Sequence, residues 1–177
     1  QRQLGLTTIF VTHDQAEAII LADRIGLLFA GRLHQFGPPP AFFERPVTVE
    51  VARFFGGTNF VPALKRGSQV ETPLGIFHGP GCCHLPDGPA TLTIRPEHLQ
   101  LNANGHTANS AAAIVQHCLY LGTTARFKLQ ATCPSGQNTV GLEVVTPTAQ
   151  LEQFGPGQRV TLYFPPDKIW LTVPGND

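Results

Sequence analysis

Three stretches of this chain alternate apolar and polar side chains residue by residue, a rhythm no helix can present to a core. Between residues 123 and 131, Ala125, Phe127 and Leu129 fall on one side and Thr124, Arg126, Lys128 and Gln130 on the other. Val160, Leu162 and Phe164 repeat the rhythm, as do Ile169, Leu171 and Val173. Successive side chains of a strand point to opposite faces, so each stretch predicts a strand with one buried face. Shorter candidates lie near residues 60–64, 69–71, 91–95, 112–120 and 139–145, and 18 glycines and 16 prolines supply turns between them. Many short strands joined by tight turns predict a small barrel of the OB-like kind.

The charged residues divide the chain. Residues 1–66 carry 12 Asp, Glu, Lys and Arg side chains and all the rest carry another 12, with only Arg126, Lys128 and Glu143 between His98 and Leu151. Charge thins near Gly67, and we divide the chain into domains 1–57 and 58–177. Low charge over 98–151 fits a well-packed barrel, and it also fits a dimer surface, since obligate interfaces are depleted in charge. The formal net charge is zero and Lys and Arg are scattered, which argues against a nucleic-acid surface. No apolar run approaches the ~18 residues a spanning helix needs, so the sequence predicts a soluble chain.

The first 57 residues follow a different pattern. Residues 7–11, β-branched and aromatic, predict a strand. Asp14 with Glu17 three residues later has the form of a helix capping box, and Ala16, Ile19 and Ile20 continue at helical spacing. His13 therefore falls at a strand-to-helix junction, where α/β proteins place groups that meet phosphates. A hairpin is expected through residues 25–29 and 32–36, turning at Ala30-Gly31. Pro38-Pro39-Pro40 opens a short helix through Phe42 and Phe43. Val47, Val51, Phe54 and Phe55 predict a second helix, ended by Gly56-Gly57.

Four segments carry a family likeness: VTHDQAEA at 11–18, LADRIGLLFAGRLHQFGPP at 21–39, FGGTNFVPA at 55–63 and IRPEH at 94–98. Together they resemble the end of the ATP-binding subunits of ABC importers, in the subfamily whose nucleotide-binding domain is followed by a transport-associated OB-like (TOBE) domain. The resemblance implies a mostly β chain: an OB-like small β-barrel preceded by an α/β remnant of a P-loop nucleotide-binding domain. It implies that His13 is the switch histidine that contacts the γ-phosphate of ATP, and that Asp14 caps the helix after it. It further implies ATP and Mg²⁺ in the intact subunit, a homodimer, membrane permease subunits and an external solute-binding protein as partners, and a cytoplasmic place at the inner face of the membrane.

A phosphate-binding loop ends in Gly-Lys-Ser/Thr. Lys65, Lys128 and Lys168 follow Leu64, Phe127 and Asp167, so none belongs to such a loop. A signature segment and an acidic strand end are missing too. The chain is expected to be a C-terminal fragment cut within the last helix before the switch strand, to need no cofactor by itself and to be inactive alone as an ATPase; the alternative is a stand-alone dimerisation and effector-binding module that recognises a small ligand or a regulatory protein.

Two further constellations stand out. His78, Cys82, Cys83 and His84 lie within seven residues, but vicinal cysteines point to opposite faces of an extended chain, so no metal site is expected there. Cys118 and Cys133 fall in or beside candidate strands and are expected as buried hydrophobes. In IRPEH, Arg95, Glu97 and His98 admit two readings. One is a structural turn; the other is an effector pocket in which Arg95 and His98 hold an anion.

Overall fold

A computed structural model of the chain describes residues 5–102, 107–134, 136 and 138–174. After helix α1 (Gln15–Leu21), strand β1 (Ile25–Phe29) pairs antiparallel with β2 (Arg32–Gly37). Ala30 and Gly31 lie between them at φ 47° and 73°. Two successive left-handed residues give a hairpin turn whose twist matches that of the strands. Helices α2 (Pro39–Glu44) and α3 (Val49–Phe54) follow. The Thr48 hydroxyl caps α3, and Gly56, at φ 82°, ends it: Gly57 N–H donates to Ala52 O at 2.8 Å and Gly56 N–H to Arg53 O at 3.0 Å. That is the paired bonding of a Schellman ending. Ile25, Leu27, Phe42, Val51 and Phe55 form a small core between hairpin and helices.

Two sequence expectations fail in this region. Val47 is not helical; it precedes the Thr48 cap, is exposed, and its N–H donates to Gln35 Oε1 at 3.0 Å. Residues 7–11 are not a strand, and Ile9, Phe10 and Val11 are 92%, 61% and 90% exposed. A strand exists only within a ladder, and among the described residues no other backbone pairs with this run.

The mostly β, OB-like expectation holds. Strands β3 (Asn59–Arg66), β4 (Gln69–Thr72), β5 (Gly75–His78) and β6 (Gly88–Ile94) join β12 (Trp170–Thr172) in one antiparallel sheet, ordered β12-β6-β3-β4-β5. Strands β7 (Gln100–Leu101), β8 (Ser110–Tyr120), β9 (Thr124–Thr132), β10 (Thr139–Pro147) and β11 (Arg159–Tyr163) form the other, ordered β10-β9-β8-β11-β7. Alternation decides what each sheet buries. Ala125, Phe127, Leu129 and Ala131 point into the common core with Val61, Phe77, Leu92 and Leu171 of the first sheet. On the outer face Glu143 lies 3.5 Å from Arg126 and 3.8 Å from Lys128, so the three charges of the charge-poor stretch meet on neighbouring strands.

Asparagine side chains close both seams between the sheets. Asn59, fully buried at the start of β3, donates from Nδ2 to Glu143 O at 2.8 Å and accepts Glu143 N–H at Oδ1 at 2.7 Å. Its carboxamide thus does for β10 what a neighbouring strand's backbone would do. Across the barrel, buried Asn109 bonds the same way to both backbone groups of His78 in β5, at 2.9 and 2.7 Å. Asn109 sits at φ 53°, a region asparagine tolerates better than most residues. Beside the first seam, Val145 N–H donates to Pro96 O at 2.9 Å.

Candidate functional site

His13 is exposed immediately before α1 and has no hydrogen-bond partner among the described residues. The structure builds its surroundings from three polar side chains. Asp14 Oδ1 accepts the N–H groups of Ala16 and Glu17 at 2.7 and 3.1 Å, so the helix N-terminus is capped from within the chain. Glu17 does not reach back to the Asp14 N–H as a capping box would. Thr12 stands between them: its hydroxyl accepts Asp14 N–H at 3.0 Å and donates to Glu17 Oε2 at 2.6 Å. Thr12, Asp14 and Glu17 thereby fix the backbone on both sides of His13 while leaving its imidazole unengaged. The role of Thr12 is not legible from the cap pattern, because it depends on the turn that folds Thr12 back over the helix.

The IRPEH segment lies elsewhere, at the junction of the small core and the barrel. Arg95 Nε donates to Phe43 O and Nη1 to Phe55 O, both at 3.0 Å, with the guanidinium 4.6 Å over the Phe43 ring. Trp170 Nε1 donates to Pro46 O at 2.9 Å, and His84 stacks on the indole at 3.8 Å. Around these contacts opens a cleft of about 580 Å³ whose lining includes Phe43, Arg45, Arg95, His98, Lys168 and Trp170. Of the three sequence candidates, Arg95 and His98 share this cleft, whereas Glu97 is exposed and does not line it. The contributions of Arg45, Lys168 and Trp170 went unread in the sequence. The single tryptophan of the chain was the one available signal.

Burial holds the Arg95 guanidinium below its usual value, with Glu97 opposing. Burial likewise pushes His98 down, Glu97 and Asp167 opposing and Lys168 and Arg95 reinforcing. The unfolded chain therefore takes up the His98 proton first as pH falls below ~6.5. Stability is full above that value and declines until native His98 also protonates. Denaturation midpoints measured from pH 5 to 8 are expected to fall less steeply with acid in His98→Gln than in the parent chain.

The cysteine cluster is pulled apart. Cys82 is buried and Cys83 exposed; His78 bonds Asn109 through its backbone, and His84 stacks on Trp170. Burial, helped by Cys83, pushes the Cys82 thiol up to about 11, so it is not a thiolate at neutral pH. Among the described residues no three His, Cys, Asp or Glu side chains are placed to hold a metal ion. Cys133 is buried and Cys118 half-buried; a bulge between Val115 and His117 shifts the alternation of β8, so that Cys118 pairs with buried Phe127 and packs against the core. No described helix is long and apolar enough to cross a membrane.

Comparison with known proteins bears on both regions. Residues 92–171 match the family described as the TOBE domain. The match begins in β6, although β3, β4 and β5 belong to the same barrel. The spermidine/putrescine import ATP-binding protein PotA of Pseudomonas fluorescens is 39% identical over 73% of this chain and 36% of that protein. PotA 1 of Pseudomonas aeruginosa is 37% identical over 92% of this chain and 44% of that protein. The sulfate/thiosulfate import ATP-binding protein CysA 2 of Chromobacterium violaceum is 36% identical over 89% and 48%. The chain thus spans less than half the length of these relatives. A solved chain of the cytoplasmic molybdate-binding protein ModG, with molybdate bound, gives a TM-score of 0.49 at 13% identity over 67% of this chain and 98% of that one. By sequence the chain is a relative of the ATP-binding subunits of ABC importers, and its residues 92–171 are a TOBE domain.

Proposed function

We propose that this chain serves in the ATP-binding subunit of an ABC importer, where ATP binding and hydrolysis drive solute uptake. In this reading residues 1–57 belong to the nucleotide-binding domain and residues 58–177 form a regulatory and dimerisation domain. The observation that carries the proposal is the placement of His13. Its exposed, unengaged imidazole sits between Thr12 and Asp14, whose hydrogen bonds fix the backbone on either side. Such a group donates a hydrogen bond to a terminal phosphoryl oxygen without moving its neighbours. Of what MgATP requires, this chain supplies that contact; the remaining phosphate and Mg²⁺ contacts come from residues it does not contain, since no Gly-Lys-Ser/Thr loop occurs in it.

The partners follow from the role: a second copy of the subunit, permease subunits that hold it at the inner face of the membrane, and a solute-binding protein outside. The relatives at near-equal identity import polyamines and sulfate or thiosulfate. Solute choice therefore belongs to the permease and the binding protein rather than to the residues these subunits share.

Two measurements test the proposal. The 177-residue chain is expected to show no MgATP turnover. Joined to the nucleotide-binding half of a relative such as PotA 1, it is expected to restore turnover, and His13→Ala is expected to lower it by about tenfold or more. Turnover by the 177-residue chain, or equal rates with and without His13 in the joined protein, would count against it.

A further inference from the structure

We infer that Thr12 and Glu17 are positioning residues for His13: a hydrogen-bonded circuit through their side chains holds the backbone that aims the imidazole at a terminal phosphoryl oxygen. The inference rests on the phosphate-facing role proposed for His13 and adds the residues through which that role is exercised.

Three bonds close the circuit. Glu17 N–H donates to Asp14 Oδ1 at 3.1 Å, Asp14 N–H to Thr12 Oγ1 at 3.0 Å, and the Thr12 hydroxyl to Glu17 Oε2 at 2.6 Å. His13 lies inside this loop in sequence, yet its side chain takes no part in it. The Asp14 N–H belongs to the peptide that joins His13 to Asp14, so the bond to Thr12 restrains the backbone on the far side of His13. Thr12 has one hydroxyl proton, and Glu17 takes it. A hydroxyl that donates to a carboxylate becomes a better acceptor, because both bonds polarise its oxygen in the same sense. Glu17 thereby tightens a peptide that it does not itself bond.

Starting a helix does not require this circuit. Asp14 alone satisfies the N–H groups of Ala16 and Glu17, which is the work of an N-cap. Nor is stability its main return, since α1 buries none of its residues and bonds open to water contribute little to folding. What the circuit adds is a fixed frame around one uncommitted side chain. A group that must meet a ligand in a set geometry needs that frame, because small misplacements of such a group slow the reaction steeply.

The circuit is tested first in the 177-residue chain, by amide exchange followed with NMR. Thr12→Val and Glu17→Ala are each expected to quicken exchange at Asp14 by about threefold or more, while Ala22, bonded to Ala18 O, stays unchanged. Thr12→Ser and Glu17→Gln keep the donor and the acceptor and are expected to exchange as the parent does. The second measurement is turnover of the protein joined to the nucleotide-binding half of PotA 1. There Thr12→Val and Glu17→Ala are each expected to lower kcat by about three- to tenfold, with KM for MgATP changed by less than about twofold, because aim is lost rather than binding. The Ser and Gln variants are expected to restore kcat. The double variant is expected to fall no further than the worse single one, since both residues act through one circuit. Equal rates with and without His13 overturn the role of His13 and this inference with it. A loss in His13→Ala beside parent-like kcat in Thr12→Val and Glu17→Ala overturns the inference alone, as do unchanged exchange at Asp14 and losses that multiply in the double variant.

Discussion

Asn59→Ala is expected to lower the unfolding free energy by about 2–5 kcal/mol, measured by urea denaturation. The substitution removes few atoms, but it strands two backbone groups. Glu143 N–H and Glu143 C=O both end on the Asn59 carboxamide, at 2.7 and 2.8 Å, and Asn59 is fully buried, so water cannot replace it without opening the seam. Each buried group left unsatisfied costs about 1–3 kcal/mol. Asn59→Asp separates hydrogen bonding from space filling, since the two side chains have nearly the same shape. Aspartate still accepts Glu143 N–H, but its second oxygen faces Glu143 O and repels it. At neutral pH this variant is expected to be at least as destabilised as Asn59→Ala. Relative to the parent chain, its deficit is expected to shrink as pH falls through the carboxylate range, where a protonated acid regains a donor. If Asn59→Asp matched the parent at pH 7, the seam would not depend on the paired hydrogen bonds.

Arg95→Met is expected to loosen residues 39–55 from the barrel at a cost of about 2–4 kcal/mol, while most of the barrel stays intact. Methionine keeps much of the packing of the arginine stem. It loses the bonds to Phe43 O and Phe55 O and the contact with the Phe43 ring. The small core has few buried side chains of its own, so its attachment depends on such cross-links, with Trp170 to Pro46 as another side-chain bond of the junction. Hydrogen exchange is the appropriate measurement: faster exchange in α2 and α3, with β8 and β9 unchanged, is expected. A uniform loss of protection would mean that Arg95 supports the whole fold instead of fastening one part to another. Arg95→Lys is expected to recover little, since an ammonium on a flexible stem does not reproduce the planar fork.

These two residues show where sequence reasoning stops. Asn59 lay inside the quoted FGGTNFVPA segment, yet nothing local distinguishes an asparagine that clips two sheets from one in a loop. Its partner is 84 residues away. For Arg95 the sequence admits a structural residue or an anion ligand. The structure shows it fastened to carbonyls 40 and 52 residues upstream, with donors left over. The expected strand at residues 7–11 fails for the same reason: strand-forming composition is local, but a ladder needs a partner, and no described segment offers one.

What the sequence determined by itself is whatever a few neighbouring residues can enforce. Period-two alternation set the faces of β9 and β11, Ala30-Gly31 set the hairpin turn, Asp14 set the start of α1, and Gly56-Gly57 set the end of α3. What only the tertiary structure decided is how those pieces close on one another: the asparagine seams, the Arg95 and Trp170 cross-links, and the cleft between the two cores. The Trp170 to Pro46 bond spans 124 residues. Such contacts exist only in the folded chain, because which buried polar groups meet is fixed by the packed core, not by any spacing along the chain.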